Sequence, residues 1–240
     1  MKLDRSFLTK FIVRLLCNMS TKIDSLYDYF IKYYPEFKHK TFTTPCSFTD
    51  HTHFSPLEKT KTIVFAGRLI DSKQPLLALD AFNLAYKRLE TPLKYEWKLI
   101  ILGNGPLRPF IKKRIDEYKL NKNVLLLHKP DISNILNKST IFVSVQKHEN
   151  YPSQSLLEAM ASGNAIIATD VGDTKKILDD RCALFIHDNS SRELARKLLM
   201  LMKNKLLCKK MGEEARKKVL SEHSIYIFID YLFKLWEVNL

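Results

Sequence analysis

Short apolar runs alternate with amphipathic stretches along the chain from residue 61 onward. The runs are apolar at nearly every position, so they predict strands that are buried on both faces. Six strands are predicted, at 62–66, 98–102, 124–127, 141–145, 165–169 and 183–186. Because a stretch of helical periodicity follows each run, we expect parallel strands joined by helical crossovers.

Helices are predicted wherever apolar residues recur every three or four positions. They lie at 75–89, 107–118, 131–137, 153–162, 174–178, 191–202, 205–221 and 225–238. The whole pattern predicts an α/β protein with a Rossmann-like, doubly wound parallel sheet. Such a sheet binds its ligand at the carboxyl ends of the strands, so the residues that follow each strand are the first candidates for a site.

The first 60 residues have a different pattern. Residues 20–34 are predicted to form an extra N-terminal amphipathic helix that begins at Ser20 and ends before Pro35. Its apolar face consists of Ile23, Leu26, Tyr27, Phe30 and Ile31. Residues 36–60 are rich in Thr, Ser, Pro and His and are expected to connect this helix to the sheet. The helix either packs back on the domain that contains the sheet or on the closing helix at 225–238, or it offers its face to a membrane surface, a second copy or a partner subunit.

Composition excludes several classes of protein. A hydrophobic content of 45% in 240 residues is too high for a disordered chain. No apolar run is long enough to span a membrane, and Arg14 interrupts the apolar stretch that a secretory signal would need. The four cysteines are far apart and His51 and His53 lack an evident third ligand, so we expect no metal site and no disulfide. Reduced thiols favour a cytoplasmic location.

The positive charge is concentrated in the middle of the chain. Of the formal net charge of +13, residues 61–150 contribute 16 basic and 8 acidic side chains. This excess indicates either an anionic ligand or a solvated basic face. No helix-turn-helix pattern or basic run interleaved with aromatic residues is present, so nucleic acid is not the expected partner.

The first predicted strand is followed by a glycine and two cations. Gly67 allows a turn at the end of the strand, and Arg68 and Lys73 lie beside the start of the next helix. Cations and backbone amides at a helix start suit a diphosphate. The alternative is that both are exposed basic residues of a loop.

A second glycine-containing turn follows the second predicted strand. Gly103 and Gly105 resemble the start of a dinucleotide-binding GxGxxG motif, but Arg108 stands where the third glycine would be. The segment therefore gives either a weak ligand-binding signal or a purely structural turn.

The loop after the fourth predicted strand is the most informative segment. Ser153, Gln154 and Ser155 open a helix whose amides can bind an anion, and Glu158 lies one turn further on. A carboxylate in that position can accept hydrogen bonds from both hydroxyls of a ribose. The alternative for the acid alone is a favourable interaction with the helix dipole.

These segments together resemble a known family. The resemblance rests on 67–75, 103–106, 150–163 and 166–173, which occur in the family's order over residues 61–222. The chain resembles the C-terminal, donor-binding half of retaining GT-B glycosyltransferases of the group 1, or family 4, type. This implies transfer of a sugar, with retention, from a nucleoside-diphosphate sugar to a glycan or lipid-linked acceptor, as in polysaccharide biosynthesis. It implies no cofactor and no metal, because cationic side chains and helix dipoles take the charge of the leaving diphosphate.

The resemblance also implies a role for particular residues. Arg68 and Lys73 would neutralise the diphosphate, and Glu158 would hold the ribose. The loop and helix start at 152–157 would hold the distal phosphate and the sugar, and the base would lie near residues 128–130. The remaining implied donor-pocket residues are Gly67, Gly103, Gly105, Lys129, Pro130, Pro152, Ser153, Gln154, Ser155 and Leu156.

One departure from the family pattern concerns the catalytic position, and a lesser one lies further along the chain. The family usually has a Glu eight positions before the ribose Glu, where this chain has Asn150, with Glu149 one position earlier. Either Glu149 serves through a bulge or Asn150 contacts the transferred sugar. Lys175 and Lys176 also stand where the family commonly has an acid.

The most serious departure is that half of the implied enzyme is missing. We interpret residues 1–60 as a remnant of the N-terminal domain with its linker, 61–222 as the nucleotide-sugar-binding domain and 223–240 as a closing helix. Sixty residues cannot form a second sheet of the required kind. The chain is therefore expected to be an incomplete transferase, with peripheral contact to the inner membrane face or a partner subunit that supplies the acceptor domain. The alternative is a non-catalytic nucleotide-sugar-binding subunit or a truncated remnant.

Overall fold

A computed structural model describes residues 5–27, 29–44, 47–91, 93–149 and 151–237. The chain divides into two compact units. The first takes its residues from 1–47 and 226–240, and the second is continuous from 48 to 225. None of the helices in these described ranges is long and apolar enough to cross a membrane.

From residue 60 onward, strands and helices alternate along the chain. The helices are α1 Arg5–Met19, α2 Tyr29–Tyr33, α3 Pro75–Lys87, α4 Leu93–Glu96, α5 Arg108–Glu117, α6 Ser133–Lys138, α7 Gln154–Ala161, α8 Thr174–Ile177, α9 Ser191–Met202, α10 Lys205–Glu222 and α11 Ile225–Trp236. The strands are β1 Ile23–Ser25, β2 Thr41–Thr43, β3 Thr60–Ala66, β4 Lys98–Leu102, β5 Val124–Leu127, β6 Ser139–Ser144, β7 Ala165–Thr169 and β8 Ala183–Ile186. Two 3-10 helices cover Pro35–Lys40 and Asp71–Lys73.

The prediction of one helix over residues 20–34 is wrong. The segment instead contains β1, which pairs in parallel with β2, and the short helix α2. A turn separates the two elements, because the Ser25 hydroxyl accepts a hydrogen bond from the Tyr27 N–H at 3.4 Å. The apolar spacing that suggested a helix is satisfied here by a strand and a single helical turn.

Within the first unit, the β1 segment is bonded to the closing helix. Asp24 accepts hydrogen bonds from the hydroxyls of Thr44 at 2.7 Å and Tyr231 at 2.6 Å. Burial and this contact raise the pKa of Tyr231. The Lys22 ammonium donates to the Leu235 carbonyl at 2.7 Å and to the Glu237 carboxylate at 2.7 Å. The predicted contact between the 20–34 segment and the closing helix is therefore made by a strand rather than by a helix.

The second unit contains the predicted doubly wound sheet. Its six strands are all parallel, in the order β5-β4-β3-β6-β7-β8. The order reverses direction between β3 and β6, since the chain builds outward from β3 in one direction and from β6 in the other. A sheet of this topology forms its ligand crevice at that switch point.

The core of this unit explains why the apolar runs become strands. Ile63 and Phe65 of β3 pack with Leu79 and Phe82 of α3 and with Leu198 of α9 in one buried cluster. The intervening Val64 is also fully buried, which places it on the opposite face of the sheet. Since both faces are covered, the strands need apolar residues at successive positions.

Two glycines allow the turns after β3 and β4 to touch. Gly103 has a φ of +146°, and a Cβ there would overlap the Gly67 carbonyl oxygen. Gly105 has a φ of +153°, and its Cβ would lie 2.6 Å from the Leu69 carbonyl oxygen. Only glycine fits at both positions, so the close approach of these two turns is encoded in the sequence.

Candidate active site

The candidate site lies at the carboxyl edge of the six-stranded sheet, near the switch point. The turns after β3 and β4 are joined by backbone hydrogen bonds from Leu69 N–H to the Asn104 carbonyl at 2.9 Å and from Leu107 N–H to the Leu69 carbonyl at 3.0 Å. Arg108, which replaces the third glycine of the motif, donates to the carbonyls of Gly103 at 3.3 Å and Leu126 at 3.2 Å. These contacts make the segment a rigid structural turn beside the site.

Arg68 and Lys73 lie together on the turn after β3. Burial, followed by the charge of Arg68, lowers the pKa of Lys73 to about 8. The Lys73 ammonium donates to the Gln146 side-chain oxygen at 3.2 Å, and Gln146 follows β6. Within the described ranges neither cation forms an ion pair with a carboxylate. The turn therefore presents two neighbouring positive charges that are paired with no carboxylate of the described residues, and a neutral amide contacts Lys73.

The one acid on this turn is paired with a different cation. Asp71 forms an ion pair of 2.6 Å with Lys147, and the Lys147 N–H donates to the Ser72 carbonyl at 2.9 Å. Both contacts connect the loop after β6 to the loop after β3. Because Asp71 is neutralised in this way, it does not neutralise Arg68 or Lys73.

The start of α7 is fixed against β3. The Ser155 hydroxyl donates to the Ala66 carbonyl at 3.1 Å. Ser153 is buried in extended conformation directly before the helix, and its carbonyl accepts from the N–H groups of Leu156 and Leu157, each at 3.1 Å. The positive end of the α7 dipole is thus held at the carboxyl edge of the sheet, where an anion is stabilised.

Glu158 lies one turn into α7 and is partly buried. Burial raises the pKa of its carboxyl group, while a hydrogen bond from Gln154 opposes that effect. The charge of Asp131 raises the same pKa and the charge of His53 lowers it. The carboxylate is therefore a desolvated acceptor that gains from any further hydrogen-bond donor.

His53 and Asp131 are residues that the sequence analysis did not connect with this site. The His53 ring nitrogen Nε2 lies 3.2 Å from an Asp131 carboxylate oxygen. Asp131 also accepts from the Ser133 N–H at 2.8 Å, and Asp50 accepts from the His53 N–H at 3.1 Å. The loops before β3 and after β5 are thereby joined close enough to Glu158 for their charges to act on it. The only signal in the sequence was the position of Asp131 directly after the predicted base-binding segment.

Glu149 is held by the loop after β7. Its carboxylate accepts from the Asp173 N–H at 3.3 Å. Gly172 has a φ of +52°, and a Cβ there would lie 2.6 Å from the Glu149 Cβ. The neighbouring Asn150 lies outside the described residues, so the choice between Glu149 and Asn150 stays a prediction.

The other residues of the predicted donor pocket are only partly brought together. Lys129 and Pro130 are exposed in the loop after β5. Lys175 forms an ion pair with Asp170 at 2.7 Å, and Lys176 forms one with Asp173 at 3.1 Å. Both cations are therefore paired with acids of the loop after β7. Gly67, Gly103, Gly105 and Pro152 lie in turns that flank the site. No group of three or more His, Cys, Asp or Glu side chains arranged to hold a metal ion occurs among the residues with described positions.

Comparison with known proteins identifies the second unit. The family model described as "Glycosyl transferases group 1" matches residues 48–218, which is most of the chain. An uncharacterized glycosyltransferase of Methanocaldococcus jannaschii is 30% identical over 158 residues, which are 64% of this chain and 39% of that protein. The poly(ribitol-phosphate) alpha-N-acetylglucosaminyltransferase of Staphylococcus aureus is 25% identical over 167 residues, or 68% of this chain and 33% of that protein.

Solved structures have the same fold. The S. aureus protein TarM was crystallised as a mutant with UDP, and its structure matches this chain with a TM-score of 0.77 at 22% identity. The match covers 98% of this chain and 48% of TarM. The pneumococcal O-GlcNAc transferase GtfA, in complex with UDP and GlcNAc, has a TM-score of 0.72 at 19% identity; the match covers 91% of this chain and 45% of GtfA. This chain thus spans less than half the length of these proteins. The six-stranded sheet is a Rossmann-like half of the GT-B type, and the chain belongs to the group 1 glycosyltransferase family.

Proposed function

We propose that the chain binds a nucleoside-diphosphate sugar at the carboxyl edge of the six-stranded sheet and serves the transfer of that sugar, with retention, to a glycan or lipid-linked acceptor. The observation that carries this proposal is the pair Arg68 and Lys73, two neighbouring cations with no carboxylate partner in the described ranges, next to the start of α7. Family membership supports it, and so does the UDP in the crystals of TarM and GtfA.

The diphosphate is the part of the ligand that these cations would bind. Lys73 loses hydration on burial and is repelled by Arg68, which is why the pKa of its ammonium falls. The negative charge of a diphosphate between the two cations would offset both effects and raise this pKa. The amides at the start of α7, around Ser153, Gln154, Ser155 and Leu156, would bind the distal phosphate. The same charges would stabilise the diphosphate as it leaves, so we propose that the reaction needs no metal ion.

Glu158 is proposed to hold the ribose. Its carboxylate is partly buried, and Gln154 provides one hydrogen bond to it. Two ribose hydroxyls would satisfy the remaining acceptor capacity of the carboxylate. Since His53 and Asp131 act on the same group, we propose that the base lies on this side of the site, next to Lys129 and Pro130. Glu149 or Asn150 is proposed to contact the transferred sugar.

The acceptor half of the enzyme is proposed to come from outside residues 1–240. Support comes from the length comparison and from α1 in the first unit, whose apolar residues are exposed: Phe7 by 64%, Phe11 by 58% and Met19 by 76%. Such a surface favours contact with another protein surface or with a membrane. A partner subunit or further domain is one proposal, and peripheral contact with the inner membrane face is the other. The cytoplasmic location and the remnant interpretation of residues 1–60 stay predictions.

The cations can be tested by the affinity for UDP. We expect Arg68→Ala and Lys73→Ala each to weaken binding by about 10- to 100-fold, because each removes a charged hydrogen bond of about 1.5–3 kcal/mol. Isothermal titration calorimetry measures the affinity. Lys122→Ala, at an exposed lysine remote from the turn after β3, is the matched control. Unchanged affinity in both site variants would refute the diphosphate assignment.

The ribose contact can be separated from the diphosphate contact. We expect Glu158→Gln to weaken UDP binding by about tenfold, since the neutral amide is a weaker acceptor for the ribose hydroxyls. Binding of inorganic pyrophosphate, which has no ribose, should stay unchanged. Calorimetry with both ligands provides the comparison. An equal loss for the two ligands would mean that Glu158 acts on the fold or on the phosphates instead.

The affinity for UDP should change with pH because Lys73 titrates. In the free protein the pKa of Lys73 is about 8, and a bound diphosphate would raise it. Binding is therefore strongest below pH 8. Above pH 8 free Lys73 loses its proton, and binding weakens because the protein must take up that proton to bind the diphosphate. The phosphates of UDP are fully ionised over this range. Lys73→Arg keeps its charge, so its profile should be flat between pH 7.5 and about 8.5, below the range in which the uracil N–H ionises. A parallel decline in both proteins would contradict this origin.

Turnover distinguishes the proposed transferase from the alternative, a non-catalytic nucleotide-sugar-binding subunit. We expect the purified chain to bind UDP but to transfer sugar from a UDP- or GDP-sugar less than once per molecule, because the acceptor half is lacking. Product formation with a panel of nucleotide sugars and acceptors measures this. Efficient multiple turnover by the pure chain would show that it is a complete enzyme.

A further inference from the structure

A second candidate site lies at the opposite edge of the same sheet. It is a groove of about 980 Å³ within the second unit. Its wall includes Thr60 at the start of β3, Thr140 near the start of β6 and Gly163 just before β7. The groove is therefore at the amino ends of the strands, whereas Arg68, Lys73 and Glu158 are at the carboxyl ends. The proposed transferase function does not use it.

The inner surface of the groove is predominantly apolar. The apolar side chains that line it are Pro56, Leu57, Trp97, Leu201, Met202 and Leu220. Leu57 and Leu220 are exposed by 50% and 37%, so part of this surface faces solvent. Trp97 is exposed by only 3%, and its indole N–H has no hydrogen-bond partner among the described residues. An apolar ligand would cover the part of this surface that faces solvent.

Basic side chains surround this apolar surface. Six of the lining residues are basic and two are acidic: Lys59, Lys61, Lys205, Lys209, Arg216 and Lys217 against Glu58 and Glu213. Lys61 pairs with Glu96, and Lys209 lies 3.8 Å from Glu213. Lys205 and Lys217 are exposed and have no ion-pair partner in the part of the chain that the structure describes. The rim thus carries a net positive charge with two uncompensated ammonium groups.

Two of these six cations, Lys59 and Arg216, are partly buried. Lys59 donates to the Ser162 carbonyl at 2.6 Å and to the Asn164 side-chain oxygen at 2.8 Å. Arg216 donates to the carbonyls of Ala161 and Phe54. These acceptors are neutral, and burial together with the charge of Arg216 lowers the pKa of Lys59 to about 7. An anion near this pair would relieve their repulsion.

We propose that the groove binds a single-chain amphiphile with an anionic head group. The alkyl chain would lie along the apolar surface, and the head group would contact the cations of the rim, above all Lys205 and Lys217. A volume of about 980 Å³ is ample for such a molecule. A peptide helix suits the groove less well, because its backbone and side-chain polar groups would need partners that a mostly apolar wall does not offer. A second copy of this chain would bring the same positive charge to the interface.

Trp97 makes the binding measurable without any assay of activity. The chain has two tryptophans, Trp97 in the groove and Trp236 in α11. In the full chain with Trp236→Phe, the remaining fluorescence reports the groove. We expect saturable quenching or a spectral shift with dodecyl phosphate below its micelle concentration. Inorganic phosphate should give none, and dodecyltrimethylammonium should bind at least about tenfold more weakly, since its charge is repelled.

Charge reversal at the rim provides the matched test. We expect Lys205→Glu combined with Lys217→Glu to weaken dodecyl phosphate binding by at least about tenfold. Lys112→Glu with Lys210→Glu makes the same change in net charge at exposed lysines that do not line the groove, and it should leave the affinity unchanged. Circular dichroism confirms that both variants are folded. Calorimetry on the wild-type chain checks the affinity without any substitution.

Several results would overturn the proposal. The first is equal affinity for the cationic and anionic amphiphiles, and the second is an equal loss of affinity in the two charge-reversal variants. The third is an unchanged Trp97 fluorescence at a saturating concentration of dodecyl phosphate. Binding to vesicles of anionic phospholipid that dodecyl phosphate does not compete for would place the lipid contact elsewhere on the chain. Because none of these measurements uses a nucleotide, failure here leaves the proposed transferase site untouched, and failure of UDP binding leaves this groove untouched.

Discussion

Two positive charges held side by side without an acid determine the chemistry of the sheet's carboxyl edge. Arg68 repels the Lys73 ammonium, and the acid on the same turn, Asp71, is already paired with Lys147. Such an arrangement is unfavourable in the free protein, and the surrounding fold maintains it. The glycine turns after β3 and β4 contact each other closely, and Ser155 fixes α7 against the end of β3. The unfavourable charge pair and the helix dipole therefore meet at one place, which suits a diphosphate.

Helix α7 connects the two edges of the sheet. Its first turn contributes to the proposed donor site, and Glu158 lies within the helix. At its other end, the carbonyls of Ala161 and Ser162 accept hydrogen bonds from Arg216 and Lys59 in the basic groove. The negative end of the helix dipole is thus matched by two cations, whereas the amides at its positive end are the proposed site of an anion. The same eight-residue helix carries Glu158, which is proposed to hold the ribose, and its carboxyl end contacts two cations that line the groove.

Residues 48–218 establish membership of the group 1 glycosyltransferase family. The proposed transferase function also requires an acceptor-binding half besides these residues. The chain spans 48% of TarM, and the sheet that the described residues of its first unit form has two strands. A two-stranded parallel sheet has little capacity to bury apolar surface, which agrees with the exposed apolar residues of α1. The six-stranded sheet matches one half of the GT-B fold, and the acceptor half is the part that the proposal assigns to another polypeptide segment.

The sequence by itself determined the six parallel strands, their crossover helices and the positions of the strand-end residues. It could do so because strands buried on both faces require uniformly apolar runs, and turns that touch require glycine, as at Gly103. It failed for residues 20–34, where strand pairing and the Ser25 turn override a helical spacing. Only the tertiary structure decided that His53 and Asp131 act on Glu158 and that Lys59 and Arg216 share a groove with Trp97. Those residues are far apart along the chain, and their contacts depend on how separate loops pack, which local periodicity does not encode.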